Sequence, residues 1–227
     1  MNRSAFRELL DHPDIEERVD LRGHHLPRDE RIGFMAYHGG GLEVMTERIA
    51  QAAAERCGAS YYGVHQPRGM EVHVPSIDVS PEHSERLRGF VDHVGTVVTI
   101  HGYGRPGLYT SLLLGGRHRG LAEHIGVHLR EHLPVYEIVT DLESIPVELR
   151  GLHHRNPVNL PPQAGVQIEL PPRVRGVTPL FWDWEGPELA PHTEALVRAL
   201  AVAIETWVPP ARQGDSRSIT QEPPSRR

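Results

Sequence analysis

The residues able to do chemistry in this sequence gather at the ends of apolar runs. Ile32-Gly33-Phe34-Met35-Ala36-Tyr37 leads into His38, three glycines follow, and Glu43 stands two residues further on. Thr96-Val97-Val98-Thr99-Ile100 ends in His101-Gly102, and Gly165-Val166-Gln167-Ile168 ends in Glu169-Leu170. Two histidines and a glutamate are one established ligand set for a catalytic zinc, with a fourth position left for water. The glycines let the backbone turn sharply, so that Glu43 can point back toward an ion held by His38. His101 supplies a third vertex. Glu169 is a carboxylate that is expensive to hide unless paired or used. Beside such a site it is suited to act as a general base, moving a proton from water to a leaving amine.

Each motif has a structural alternative. The His38–Glu43 stretch could be a plain strand-to-helix turn, its Glu favouring the helix N-terminus, or a cradle for phosphate. His101 could be a core residue, and Glu169 the salt-bridge partner of Arg173 or Arg175. The phosphate reading is weak without Gly-Lys-Ser/Thr chemistry.

Positioning these groups requires strands that end at one edge. Strands are predicted at Ile32–His38, Ala59–His65, Thr96–His101, Leu108–Leu114, Val135–Thr140 and Val166–Leu170. Helices are predicted from Leu42 to Cys57, from the Ser80-Pro81-Glu82 start signal, from Arg117 to Leu133 and from Leu189 to Trp207. Residues 1–30 read as a short helix and then loop, and residues 151–164 as loop. Strands apolar on both faces and alternating with helices imply an α/β fold, a mixed and mostly parallel sheet with helices on both faces. In such sheets function gathers at the carboxyl ends of the strands. One domain is expected over 1–208, and a disordered tail over 209–227.

Composition narrows the function classes. A formal charge of −6 over 227 residues argues against a nucleic-acid surface. No segment has the apolar length of a membrane span, and the charged N-terminus lacks an apolar signal region, which makes the cytoplasm the default expectation. Release by lysis or non-standard export would leave no such trace. The single cysteine, Cys57, excludes an internal disulfide and any cysteine-rich metal site. His118, His124, His128 and His132 lie on one predicted helix beside the apolar face of Leu121, Ile125, Leu129 and Leu133. A solvated histidine stripe is the expectation there, rather than a second metal face.

His38-Gly39-Gly40-Gly41-Leu42-Glu43, Thr99-Ile100-His101-Gly102, Leu114-Gly115-Gly116 and Gly165-Val166-Gln167-Ile168-Glu169-Leu170 occur in the order seen in the phage-type poly-γ-glutamate hydrolases. The chain resembles that family over about residues 32–176. The resemblance implies a zinc carboxypeptidase-like fold, one zinc held by His38, Glu43 and His101, and Glu169 as general base. It also places His73, in a His-x-x-Ser stretch, near the site. The family's Asn-Arg pair for gripping a substrate carboxylate is altered here: Leu160 follows Asn159, and Arg155-Asn156 lies four residues earlier. Arg155, Asn156, Asn159, Arg173 and Arg175 are therefore the substrate-binding candidates, with Arg105 and Arg117 as further sources of local positive charge. The expected substrate is a small or polymeric acidic peptide. An N-acyl amino acid deacylase, a carboxypeptidase and a metal-containing binding protein are the rival readings.

Overall fold

In the computed structural model, residues 4–177 and 188–209 are described. Seven strands form one sheet: β1 (Glu16–Asp20), β2 (Ile32–Gly40), β3 (Ser60–Gln66), β4 (Thr96–Gly102), β5 (Ser111–Leu114), β6 (Glu137–Val139) and β7 (Gly165–Leu170). Their order is β1-β3-β2-β4-β7-β5-β6. β3, β2, β4 and β7 run parallel to one another, while β1 pairs with β3 and β5 with β7 in antiparallel fashion. The mixed, mostly parallel α/β sheet expected from the alternating elements is the sheet observed.

Helices α1 (Ala5–Leu10), α2 (Thr46–Cys57), α3 (Glu85–His93), α4 (Arg119–His132), α5 (Pro172–Arg175) and α6 (Pro191–Glu205) cover both faces. Ile49, Ala53, Leu121, Ile125, Leu196 and Leu200, from α2, α4 and α6, pack against Phe34, Val98, Ile100 and Ile168. On the other face Phe6 and Leu9 of α1 and Leu87 and Phe90 of α3 pack against Met35, Tyr37, Tyr62 and Val97. Alternate residues of β2 and β4 thus feed two cores, which is why these strands read as continuous apolar runs. The chain passes from β2 to β3 on one side and then crosses to β4 on the other. The carboxyl ends of β2 and β4 flank this switch point, the usual place for a ligand crevice.

Several boundaries differ from the predicted ones. β1 falls where loop was expected: its residues are mostly charged and only Val19 is apolar, as suits an edge strand that must discourage further pairing. The Ser80-Pro81-Glu82 signal forms a turn, with His83 N–H donating to Ser80 O at 3.0 Å. The cap of α3 is Ser84, whose hydroxyl oxygen accepts from Leu87 N–H. The histidine stripe on α4 is half-buried rather than solvated, since His118 and His124 pack on the Trp207 ring and His124 faces Ala203 O at 2.9 Å. It is a helix–helix contact. Of the expected tail, 210–227 lie outside the described residues.

Helix α2 begins at Thr46 rather than Leu42, because Gly40, at the end of β2, and Met45, at the end of the turn that follows, both take left-handed backbone angles. Gly40 has φ +74°, and a Cβ there would lie 2.0 Å from Gln66 O. Gly40→Ala is expected to destabilise the fold by about 2–5 kcal/mol, combining left-handed strain with a clash against backbone. Urea unfolding measures this, and a loss below about 1 kcal/mol would mean the turn relaxes easily.

Candidate active site

β2 carries a register shift between Ala36 and Gly39. An irregularity of this kind re-aims side chains, and here Tyr37 and His38 both lie beside His101. The ring centroids of Tyr37 and His38 are 4.7 Å apart, those of Tyr37 and His101 4.9 Å, and those of His38 and His101 5.2 Å. The next turn brings Glu43 back to the same point: its N–H donates to His38 O at 2.9 Å, and its Oε2 accepts from Gly102 N–H at 2.8 Å. Glu43 is therefore a turn residue fixed to the ends of two strands, not the opening residue of a helix.

Glu43 Oε1 lies 2.8 Å from His38 Nδ1, and Oε2 lies 3.3 Å from His101 Nδ1. The other nitrogens are committed, His38 Nε2 to Val74 O at 2.8 Å and His101 Nε2 to the Tyr37 hydroxyl at 3.0 Å. A carbonyl oxygen only accepts, so His38 carries a hydrogen on Nε2 and presents Nδ1 to the Glu43 carboxylate. A contact this short needs a positive charge between ring and carboxylate, which a proton on Nδ1 or a metal ion supplies. A divalent cation supplies one to all three groups at once. A tetrahedron with zinc bonds of about 2.05 Å has edges of about 3.3 Å, within the range of these contacts. Among the described residues, His38, Glu43 and His101 are the one group of three His, Cys, Asp or Glu whose ligand atoms converge, all within 4.8 Å. The residues fit a His/Glu/His metal.

Opposite charges on Glu43 and His101 favour one another. Burial opposes ionisation of Glu43, yet the facing His101 and His38 outweigh it and hold the carboxyl below its ordinary range. Burial likewise works against the charged form of His101, and Glu43 and then Glu169 overcome it, raising the imidazole.

Glu169 stands directly opposite His101 in the β4–β7 register, about 4.8 Å away across the ladder. Only 4 % of it is exposed, and burial, with Glu43 adding to it, pushes its carboxyl up to about 7. That is the range for a group that must both accept and return a proton near neutrality. Arg175 is not its salt-bridge partner. The Arg175 guanidinium lies over Gly102 and donates to Leu170 O at 3.2 Å and to Val44 O at 2.7 Å, bracing the turn that carries Glu43.

The remaining candidates separate. His73 is exposed at the rim, its ring 5.1 Å from that of His38. Arg155 is exposed, and its neighbour Asn156 is buried inside the site. Asn159 holds its own loop, donating to Gly151 O and His153 O and accepting from Arg117 N–H. The Arg173 guanidinium sits 5.7 Å from the Tyr136 ring centroid, and Arg105 pairs with Glu148. Sequence reasoning missed Tyr37 and Gln167. Each is a polar side chain inside an apolar strand run, and such a group needs an internal partner.

This constellation can be set against known proteins. The family described as Poly-gamma-glutamate hydrolase matches residues 4–194, most of the chain. The chain belongs to the poly-gamma-glutamate hydrolase family. A bacteriophage poly-gamma-glutamate hydrolase structure superposes with a TM-score of 0.68 at 20% identity, over 84% of this chain and 87% of that one. YNDL in an apo, zinc-free form gives a TM-score of 0.67 at 17% identity, over 85% and 90%. No curated protein matches the sequence. At these identities the structures speak for the fold, and the family match supports a hydrolase. The poly-gamma-glutamate hydrolase resemblance of the four motifs thus extends N-terminally to α1 and β1, which the motifs alone did not reach.

Proposed function

We propose that this chain is a zinc-dependent amidohydrolase that cleaves γ-glutamyl or related acidic amide bonds, with one zinc per chain. The observation that carries the reading is the convergence of His38, Glu43 and His101 beside a buried Glu169 at the switch point of the sheet. The name of the zinc-free YNDL form agrees with zinc as the metal.

His38 and His101 are presented through Nδ1, with their Nε2 hydrogens donated to Val74 O and the Tyr37 hydroxyl. Such partners fix a ligand's tautomer and ring orientation. A zinc ion held there contributes Lewis acidity, activating water and polarising the scissile carbonyl. Glu169 Oε1 is occupied by the Gln167 amide at 2.9 Å. The other oxygen, Oε2, takes the proton from the attacking water and returns it to the leaving amine. Arg155, exposed and next in the chain to Asn156, is the cation for a substrate carboxylate.

The test is incubation of zinc-loaded protein with poly-γ-glutamate and, separately, with N-acyl amino acids, following chain length and free amine. Shortening of the polymer with release of new amines is the expected result. Release of terminal residues alone would redirect the reading to a carboxypeptidase, and acyl release alone to a deacylase. Zinc binding without hydrolysis of any of them would overturn the enzyme reading.

A further inference from the structure

Gln167 is only 4 % exposed, on a strand whose other face, Val166, Ile168 and Leu170, is wholly apolar. A buried amide must satisfy both of its ends. Nε2 donates to Glu169 Oε1 at 2.9 Å and to Leu149 O at 3.2 Å, and Oε1 accepts from Asn156 Nδ2 at 2.9 Å. Asn156 Oδ1 accepts from Val158 N–H at 3.1 Å and from the Tyr37 hydroxyl at 3.4 Å. The Tyr37 oxygen in turn faces His101 Nε2 at 3.0 Å.

Two backbone groups fix the direction of this chain. Val158 N–H can only donate, so the Asn156 atom it meets is oxygen and the amide nitrogen points to Gln167. Leu149 O can only accept, so the Gln167 atom it meets is nitrogen. Both amide orientations, usually a matter of inference from the network, are thereby determined independently. With the single Tyr37 hydroxyl hydrogen donated to Asn156 Oδ1, His101 Nε2 is the donor to Tyr37, and every donor then points the same way, from His101 through Tyr37, Asn156 and Gln167 to Glu169.

The backbone is shaped for this berth. Gly115 exchanges hydrogen bonds with Gln167, N–H to O at 2.8 Å one way and 3.2 Å the other. At Gly151, with φ +64°, a Cβ would stand 2.5 Å from Gln167 Oε1. The Leu114-Gly115-Gly116 motif, which has no chemical group of its own, thus holds the strand that carries the amide.

The geometry points to Tyr37, Asn156 and Gln167 as a positioning relay that ties the metal-ligand histidine, His101, to the base, Glu169. This inference rests on the roles given to those two residues above. It moves Asn156 from the substrate-binding candidates to the positioning residues, although Asn156 touches neither His101 nor Glu169.

Three variants test it, compared with the full-length parent. Asn156→Asp keeps the acceptor for Val158 and Tyr37 but loses the donor to Gln167, so the Gln167 amide must turn away from Glu169. Its kcat on poly-γ-glutamate is expected to fall about 10–100-fold, with KM and zinc affinity within about twofold of the parent. Gln167→Met should show the same loss, and the double variant should be no worse than Gln167→Met alone. Tyr37→Phe removes the acceptor from His101 Nε2 and should weaken zinc about 10–100-fold in a chelator competition. A raised KM at constant kcat in Asn156→Asp would return Asn156 to substrate binding and overturn the relay. So would additive losses in the double variant.

An activity-independent readout separates this inference from the functional reading. In the metal-free parent, the Gln167 side-chain amide protons should exchange slowly by NMR, and in folded Asn156→Asp they should exchange fast. If the parent fails to hydrolyse poly-γ-glutamate, the functional reading falls, and amide exchange still decides the relay. Fast exchange in the parent would overturn it.

Discussion

Glu169→Gln is expected to bind zinc like the parent and to lose hydrolysis by about 10²–10⁴-fold, the usual contribution of a positioned acid–base group. The substitution suits the site structurally. A glutamine carbonyl can accept from Gln167 Nε2 where the carboxylate oxygen now does, at 2.9 Å. It also relieves the burial that pushes the Glu169 carboxyl upward, so the fold should be at least as stable as before. What the amide cannot do is take a proton from water. Parallel assays of zinc content and poly-γ-glutamate cleavage separate the two effects. A Glu169→Gln variant that retains full turnover would remove this residue from the mechanism.

His38→Ala and His101→Ala are each expected to lose zinc on dialysis, together with all zinc-dependent hydrolysis. Each removes one of three ligands and leaves the Glu43 carboxylate facing a single imidazole. His73→Ala provides the control: its ring stands 5.1 Å from that of His38, yet His73 contributes no atom to the converging group, and the variant should keep its metal. Thermal unfolding gives a second readout. A metal that binds only the folded chain adds about 2.7 kcal/mol of stability at a free concentration 100-fold above its Kd. Added zinc should therefore raise the melting temperature of the parent and of His73→Ala. It should leave His38→Ala and His101→Ala unmoved. Full zinc occupancy in either ligand variant would refute the ligand set.

Much of this site can be read from spacing. A strand that alternates polar and apolar residues declares its facing, so Gln167 and Glu169, two apart, had to share a side. An apolar run ending in His38 or His101 likewise marks the carboxyl end of a buried parallel strand. The positions fixed by tertiary contact were less legible. Glu43 looked like a residue of a helix's first turn because Leu42, Met45, Ile49 and Ala53 keep a helical period, but the left-handed angles at Gly40 and Met45 delay the helix to Thr46. Arg175 looked like a substrate residue from its place just past Glu169. It is a buried brace, as its bonds to Leu170 O and Val44 O show. β1 was invisible because its inward side carries Glu17, which accepts from the Tyr62 and Ser84 hydroxyls, beside Val19, so the strand shows no apolar alternation. The half-buried histidines of α4 depend on Trp207, a partner that helical periodicity does not reveal.

The most direct test of the central claim is the zinc content of the parent chain, purified without a histidine tag or chelator and measured by mass spectrometry. About one zinc per chain, as a three-ligand catalytic site requires, is the predicted result, with Glu169→Gln equal to the parent. A chain that remains metal-free after incubation with zinc and dialysis would contradict the metal centre and the hydrolytic mechanism built around it.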